Sequence, residues 1–325
     1  MSILKSLRRY LDNNPKLKPY LLMWLRKTTK TINKWPEEKF IKGVMECYER
    51  HMGYTFDLQN PVLFNEKLQW YKVYYERPDF ANITDKVLFK TYIKERLGEG
   101  YTVPIFGAWS NIKELQNDWE NLPDKFVLKS NLQANSSAVM IISDKSKINF
   151  KDIKGRLKSW LKPWNTLLNS WDYRFYNSTP MILAEQFMQD ESGELRDYKF
   201  FCFDGNVPYF RVDYGRSNRH HACFFDKDFN EIDVSVPDFP KEEGKEIELP
   251  DTVREMYRMA TLLSNGFPFI RIDFFSCNGR IYLSEFTFAP GGGVTHYPED
   301  FNKELGTLFH LPIQNGIEVS DSIYS

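Results

Sequence analysis

Between Asp197 and Asp213 apolar and polar residues alternate with period two around Asp204-Gly205-Asn206, the pattern of an antiparallel hairpin. The alternation returns from Phe269 to Phe275 and, beyond the turn signal Asn278-Gly279, continues to Thr287, which predicts a second hairpin. Shorter apolar runs predict strands over 101–105, 125–129, 138–142 and 181–187. The second and third of these form a hairpin around the small, polar loop 130–137. Helical spacing covers most of 1–60, with breaks at Asn13-Asn14-Pro15 and Trp35-Pro36-Glu37. It recurs after Asn65, a candidate N-cap, through Leu68, Trp70 and Tyr71, and from Val87 to Leu97, where Gly98 stops it. Further helices are predicted over 111–120, 149–171 and 250–265. Helices mixed with antiparallel strands make the class α+β.

Two carboxylates in the last hairpin, Asp273 and Glu285, interrupt aromatic runs, and a buried carboxylate is costly unless it is paired or binds a metal. Phe267, Phe269, Phe274, Phe275, Phe286 and Phe288 all need burial, which argues against a simple surface hairpin. Odd positions of the first strand share a face, so Arg271 lies beside Asp273. A two-residue Asn-Gly loop pairs 273 with 284 and turns Glu285 away. A three-residue loop, Cys277-Asn278-Gly279, puts Arg271, Asp273, Leu283 and Glu285 on one face, with Thr287 following. Convergence therefore demands an odd loop or a bulge in the strand. If the demand is met, Asp273, Glu285 and Thr287 form an oxygen donor set suited to Mg²⁺.

Lys86, Lys129 and Lys199 sit on separate elements. Lys129 closes an apolar strand just before the Ser/Asn-rich loop, whose N–H and hydroxyl groups suit phosphates. Lys199 shares a face with Asp197, and a lysine among Tyr198, Phe200 and Phe201 ordinarily reaches for water. Arg211, Arg216, Arg219, His220 and His221 form a basic cluster that fits either an anionic substrate or an exposed loop.

Net charge is −1, which gives no argument for nucleic acid. Four scattered cysteines and five histidines show no zinc spacing or disulfide framework, so the expected compartment is the cytoplasm. No run reaches bilayer length. Residues 1–35 hold nine Lys/Arg and one acid. Their apolar run Tyr20–Leu25 reads first as an amphipathic helix packed on the protein with its lysines solvated, and second as peripheral contact with an anionic membrane at its inner face.

In order along the chain, FNEKLQW (64–70), DK (85–86), YTVPIFGAW (101–109), PDKFVLKSN (123–131), ILAEQF (182–187), ELRDYKFFCFDG (194–205), FPFIRIDFF (267–275) and GRIYLSEFTFAPGGG (279–293) resemble the ATP-grasp superfamily. The resemblance is to its TupA-like branch, similar to carboxylate–amine ligases, and it spans about 62–312. It implies ATP and Mg²⁺ as cofactors. Lys86, Lys129, Ser136 and Ser137 match phosphate contacts, Glu185 with Gln186 and Phe187 the adenine hinge, and Asp197 the ribose contact. Arg271, with Lys199 beside it, matches the charge-stabilising position. Asp273 and Glu285 match metal ligands, with Thr287 where the ligases carry Asn, and Gly291-Gly292-Gly293 matches the acceptor loop. Arg211 and Arg216 are candidates for an anionic substrate. The implied organisation is a basic helical extension (1–60), a first ATP-grasp part (61–180) and a second (181–325).

The implied reaction joins an amine or amino acid to a carboxylate through an acyl phosphate, as in amidation of a uronic acid on a cell-surface polysaccharide. Other readings are a sugar phosphotransferase and a nucleotide-binding protein without catalysis. The second is suggested by Leu132–Ser137, which has no glycine where TupA-like chains are glycine-rich. A glycosyltransferase ranks low, because Asp226-Lys227-Asp228 reads as a solvated turn.

Overall fold

The alternating segments close into two antiparallel sheets in the computed structural model, which describes residues 36–132, 138–162, 171, 178–190, 193–216 and 219–312. Two compact units divide the chain, Met1–Gly43 and Val44–Ser325. Of the first, residues 36–43 are described, and they open helix α1 (Glu37–Met52). The expected membrane-contacting segment, 1–35, lies outside the described residues. Among those residues no helix is long and apolar enough to cross a membrane.

In the second unit, helix α2 (Phe64–Tyr74) starts differently from the expectation. Asn65 lies inside its first turn, and the carboxylate of Glu66 reaches back to the Val62 and Leu63 amides at 2.8 and 3.0 Å. Freed from capping, Asn65 donates its side-chain amide to the Thr295 carbonyl at 2.7 Å. Helix α3 (Phe80–Thr84) leads to α4 (Leu88–Leu97). Asp85 accepts from the Val87 and Leu88 amides at the head of α4, and Gly98, at φ 86°, ends it.

The small sheet has the order β1-β4-β2-β3, with β1 (Ile105–Trp109), β2 (Phe126–Ser130), β3 (Val139–Ile142) and β4 (Ile182–Gln186). One face carries Phe126, Leu128, Ile182 and Ala184, buried beneath α5 (Ile112–Asp118) and α6 (Phe150–Trp160) through Leu115, Leu157 and Trp160. The strand expected over 101–105 starts at Ile105 instead. Tyr101 and Thr102 attach to Leu283, and Pro104 accepts from the Gln186 amide at 2.9 Å. This short stretch therefore runs from the edge of one sheet to the edge of the other.

The large sheet has the order β10-β9-β5-β6-β7-β8: β5 (Asp197–Phe203), β6 (Asn206–Tyr214), β7 (His221–Asp226), β8 (Glu231–Ile232), β9 (Ile270–Cys277) and β10 (Arg280–Thr287). Phe200, Phe210 and Phe274 pack on one face, covered by α7 (Val253–Leu263), whose Met256, Met259, Ala260 and Leu263 are buried. On the other face Phe201, Phe203 and Phe269 meet Phe64 of α2, and α8 (Glu299–Leu308) packs on α2. That helical cover leaves the charged half of the face to the candidate site.

The hairpin β9–β10 turns on two residues, Asn278 and Gly279, both with positive φ, and Cys277 pairs with Arg280. The ladder then shifts at Ser284, an inserted residue in β10, so that Glu285 faces Asp273 and Thr287 faces Arg271. The parity demand is met by the bulge, with an even loop.

Candidate functional site

Register builds the centre of the site. Across four neighbouring strands Glu285, Asp273, Lys199 and Arg211 are successive partners, one charged residue per strand on one face. Lys199 does not reach for water: it is 3% exposed, and its ammonium lies 2.6 Å from both Asp197 Oδ2 and Asp273 Oδ2. Arg271 forks onto Asp273 at 2.7 Å through both Nε and Nη2, and Nη2 also reaches Glu285 Oε1 (3.3 Å) and Thr287 Oγ1 (3.1 Å). Burial alone would lower the Arg271 pKa, but Asp273 and Glu285 raise it above the usual value.

At the β6 end Arg211 forks onto the fully buried Asp213 at 2.6 and 3.2 Å, with its guanidinium 4.0 Å over the Phe239 ring. The half-exposed Arg216 bridges Asp213 (3.0 Å) and Asp197 (2.8 Å), and His220 lies 3.0 Å from Asp213. Burial pushes the Asp213 carboxyl up, but Arg211, Lys199, His220 and Arg216 hold it well below the usual carboxylate range. Asp197 Oδ1 is buried with no hydrogen-bond partner, an acceptor left open beside its fully used Oδ2.

A second centre sits on the small sheet. Glu185 receives Lys129 at 2.5 Å and Lys90 at 2.8 Å. Burial would raise its pKa, yet the two lysines hold it at about 2. Burial lowers the pKa of Lys90, with Glu185 opposing. Ile105, Glu185, Val127 and Ile141 form one row across all four strands, and Ile105 and Ile141 stand exposed beside the carboxylate.

The head of α4 links the two centres. Lys86 lies 3.4 Å from Glu285 Oε2, and Lys90, four residues on, grips Glu185. A buried polar knot fixes this head: Asn131 donates to Asp85 Oδ2 (2.7 Å) and accepts from the Met181 amide (2.7 Å), and the Lys86 amide donates to the Asn131 carbonyl. Five carboxylates thus face seven lysines and arginines, and the whole is net cationic.

The glycine loop is built from α2. Gly291, Gly292 and Gly293 have φ of 60°, 64° and 70°, a left-handed turn that disfavours any side chain. Lys72, 1% exposed, donates to the Gly292 carbonyl at 2.8 Å, and Gln69 to the Gly293 carbonyl at 2.8 Å. A Cβ on Gly293 would stand 2.4 Å from Gln69 Nε2.

The two networks therefore hold Lys86, Lys129, Glu185, Asp197, Lys199, Arg211, Arg216, Arg271, Asp273, Glu285 and Thr287. Ser136 and Ser137 lie outside the described residues. The Gln186 amide is spent on Pro104, so it is not among the donors a base could use, and the Phe187 ring lies 3.7 Å under the Lys125 ammonium. Sequence reasoning missed Lys90, Asp213, Gln69 and Lys72. Lys90 follows Lys86 by one helical turn, and Asp213 shares the face of Arg211 two residues earlier, so spacing alone offered a signal for both. Asp226-Lys227-Asp228 is an exposed turn closed on Asp226, as expected.

As a magnesium site, Asp273 and Glu285 fit in one sense. Among the described residues no three His, Cys, Asp or Glu side chains gather into a self-sufficient cage. Two carboxylates on one face with a hydroxyl beside them match Mg²⁺ whose shell is completed by water and phosphates.

Comparison with known proteins adds a family. The TupA-like ATP-grasp model matches residues 66–310. Among solved structures, the chain is similar to D-alanine–D-alanine ligase from Helicobacter pylori, with 21% identity, 70% of this chain and 61% of that one covered, and a TM-score of 0.39. For the Bacillus anthracis D-alanine–D-alanine ligase solved with ATP the values are 16%, 70%, 65% and 0.40. For N5-carboxyaminoimidazole synthetase from Staphylococcus aureus, solved with ADP, they are 13%, 63%, 44% and 0.37. The chain spans less than two thirds of the length of each. No curated protein matches it.

Proposed function

Since the chain belongs to the TupA-like ATP-grasp family, we propose that it is an ATP-dependent carboxylate–amine ligase that activates its carboxylate as an acyl phosphate. The observation that carries this reading is the register row Glu285–Asp273–Lys199–Arg211, joined by Lys86 and Lys90 to Glu185 on the other sheet. A net cationic surface holding two metal-type carboxylates suits a triphosphate and a second anion.

In this reading the exposed Ile105 and Ile141, with Val127, offer apolar contact to the base beside Glu185. The open oxygen of Asp197 accepts a ribose hydroxyl. Lys86, Lys90 and Lys129 lie where phosphate charge is to be neutralised, and Arg271 and Lys199 stabilise charge as it develops on the transferred group. Asp273 and Glu285, with Thr287, would hold Mg²⁺, which supplies Lewis-acid neutralisation of phosphate oxygens. The glycine loop, held from beneath by Gln69 and Lys72, faces the amine. Parts 61–180 and 181–325 act as the two grips, with loop 130–137 as the phosphate cover.

The finer proposal is amidation of a uronic acid on a cell-surface polysaccharide with an amine or amino acid, on the cytoplasmic side where ATP is available. The cations Arg211 and Arg216 support a carboxylate-bearing sugar. The test is ADP release that requires both D-glucuronate and an amine. Asp273→Asn should lower it by roughly 10²–10³-fold, and unchanged release in that variant would remove the metal assignment. The glycine-free stretch Leu132–Ser137 favours a second reading, nucleotide binding without turnover. Calorimetric ATP binding with no ADP release on any carboxylate–amine pair would select it.

A further inference from the structure

His220 stands at the β6 end of the charged band. Its Nε2 is enclosed and lies 3.0 Å from Oδ2 of Asp213, which is itself fully buried. The side chain as a whole is 37% exposed, so the open part is the rest of the ring. No described residue takes its Nδ1. A carboxylate beside Nε2 favours the tautomer protonated there, which leaves the Nδ1 lone pair facing outward. An imidazole with one nitrogen on a buried carboxylate and the other open has the form of a general base.

The fold holds this ring in place. The turn before it is closed by Gly215, at φ 68°, where a Cβ would stand 2.6 Å from the Arg219 carbonyl. The next residue, His221, opens β7 and meets the Pro240 carbonyl through Nδ1 at 2.7 Å. The Phe239 ring lies 5.4 Å from the His220 ring. Arg211 and Arg216 share Asp213 with the imidazole, so their charges face it too and ease the return of a proton to solvent.

Two paths set this end of the band beside the glycine loop. Asp238, next to Phe239, accepts from the His296 amide at 3.1 Å, three residues past Gly293. Tyr297 packs on Phe224, the strand partner of Arg211. Lys86, Lys90 and Lys129 gather at the opposite end, around Glu285 and Glu185. In the ligase reading the phosphates belong there and the amine belongs here.

A free amino group carries a proton at neutral pH and has no lone pair to attack with. We propose that His220 takes that proton through Nδ1, with Asp213 orienting the ring. This rests on the ligase reading above and adds the base to it. The freed amine forms a C–N bond to the carbonyl carbon of the acyl phosphate, and the C–O bond to phosphate breaks. Of the three ammonium protons, one stays on the amide nitrogen. One leaves with the phosphate as HPO₄²⁻, and one passes from the imidazolium to water.

The experiment follows ADP release by the full chain with ATP, Mg²⁺ and D-glucuronate, using two nucleophiles. Glycine must lose a proton before it attacks, whereas hydroxylamine is already neutral at neutral pH. Wild type should turn over with both. His220→Ala should lose about 10²-fold with glycine and stay near the wild-type rate with hydroxylamine. Its melting temperature should be unchanged, and added imidazole should restore the glycine reaction. An equal loss with both nucleophiles, or no loss with either, overturns the proposal and leaves the ligase reading standing. Wild-type release with hydroxylamine alone also overturns it, because no ammonium is then being used. Absence of release by wild type with either nucleophile removes the ligase reading itself, and the proposal with it.

Discussion

Glu185 and Glu285 are glutamates on neighbouring sheets, each gripped by a lysine from the head of the same helix. Their surroundings differ. Glu185 has two lysines at 2.5 and 2.8 Å, and its pKa falls to about 2 against the cost of burial. Glu285 has looser partners, Lys86 at 3.4 Å and Arg271 at 3.3 Å. Burial and Asp273 both push its pKa up, and Lys86, Arg271 and Lys199 leave it only lowered. A carboxylate with two close, desolvated cations is a lock. One held loosely beside a like charge can exchange its partners for a metal at small cost. The same pairing of Glu with Lys at the head of α4 is thus tight towards the small sheet and loose towards the large one.

The contrast breaks most sharply by substitution. Glu285→Gln should cost roughly 10²–10³-fold in ADP release while the melting temperature moves little, and a variant that unfolds instead would erase the distinction. Glu185→Gln should do the reverse and leave Lys90 and Lys129 short of charge, at about 3–5 kcal/mol in urea unfolding. Acid titration sharpens the same point. The depressed Glu185 pKa contributes stability that is complete above about pH 4.5 and lost as pH falls towards about 2. Glu185→Gln should lack that slope, measured by unfolding between pH 5 and 2. Gly293→Ala places a Cβ against Gln69 at φ 70°, and should cost about 1–2 kcal/mol with turnover falling through the amine rather than ATP. The smallest effect is expected from deleting Ser284. Without the inserted residue Glu285 still falls opposite Asp273, so ADP release should stay within about tenfold. Its abolition in a folded variant would give the bulge a role beyond parity.

Period-two alternation was enough to draw both large-sheet hairpins and the charged face they share, because strand side chains must alternate. It could not choose how Glu285 reaches Asp273, since a bulge at Ser284 leaves no mark in composition. Asn65 and Glu66 both speak the language of helix caps, and tertiary contacts from 230 residues away decided between them. The strand at Ile105 was drawn too early because Tyr101-Thr102 has strand composition yet pairs across to Leu283. Lys90 looked like any lysine on a helix flank, and its partner Glu185 lies on a sheet that only the fold brings near. The paired arginines and acids of β5 and β6 were legible as charges, but their burial depended on aromatic cover from elements far along the chain.

That dependence has a temporal side. Lys67 holds the Gly306 and Phe309 carbonyls, and Asn65 meets Asn302 across 237 positions. On a ribosome that adds 5–20 residues each second, α2 waits more than ten seconds for those partners. The glycine loop it supports cannot be shaped before they arrive, so this part of the candidate site is a late product of synthesis. Contacts this distant also raise the contact order and slow the final closure. Pulse-labelled hydrogen exchange during refolding should find the amides of the small sheet protected before those of residues 289–295.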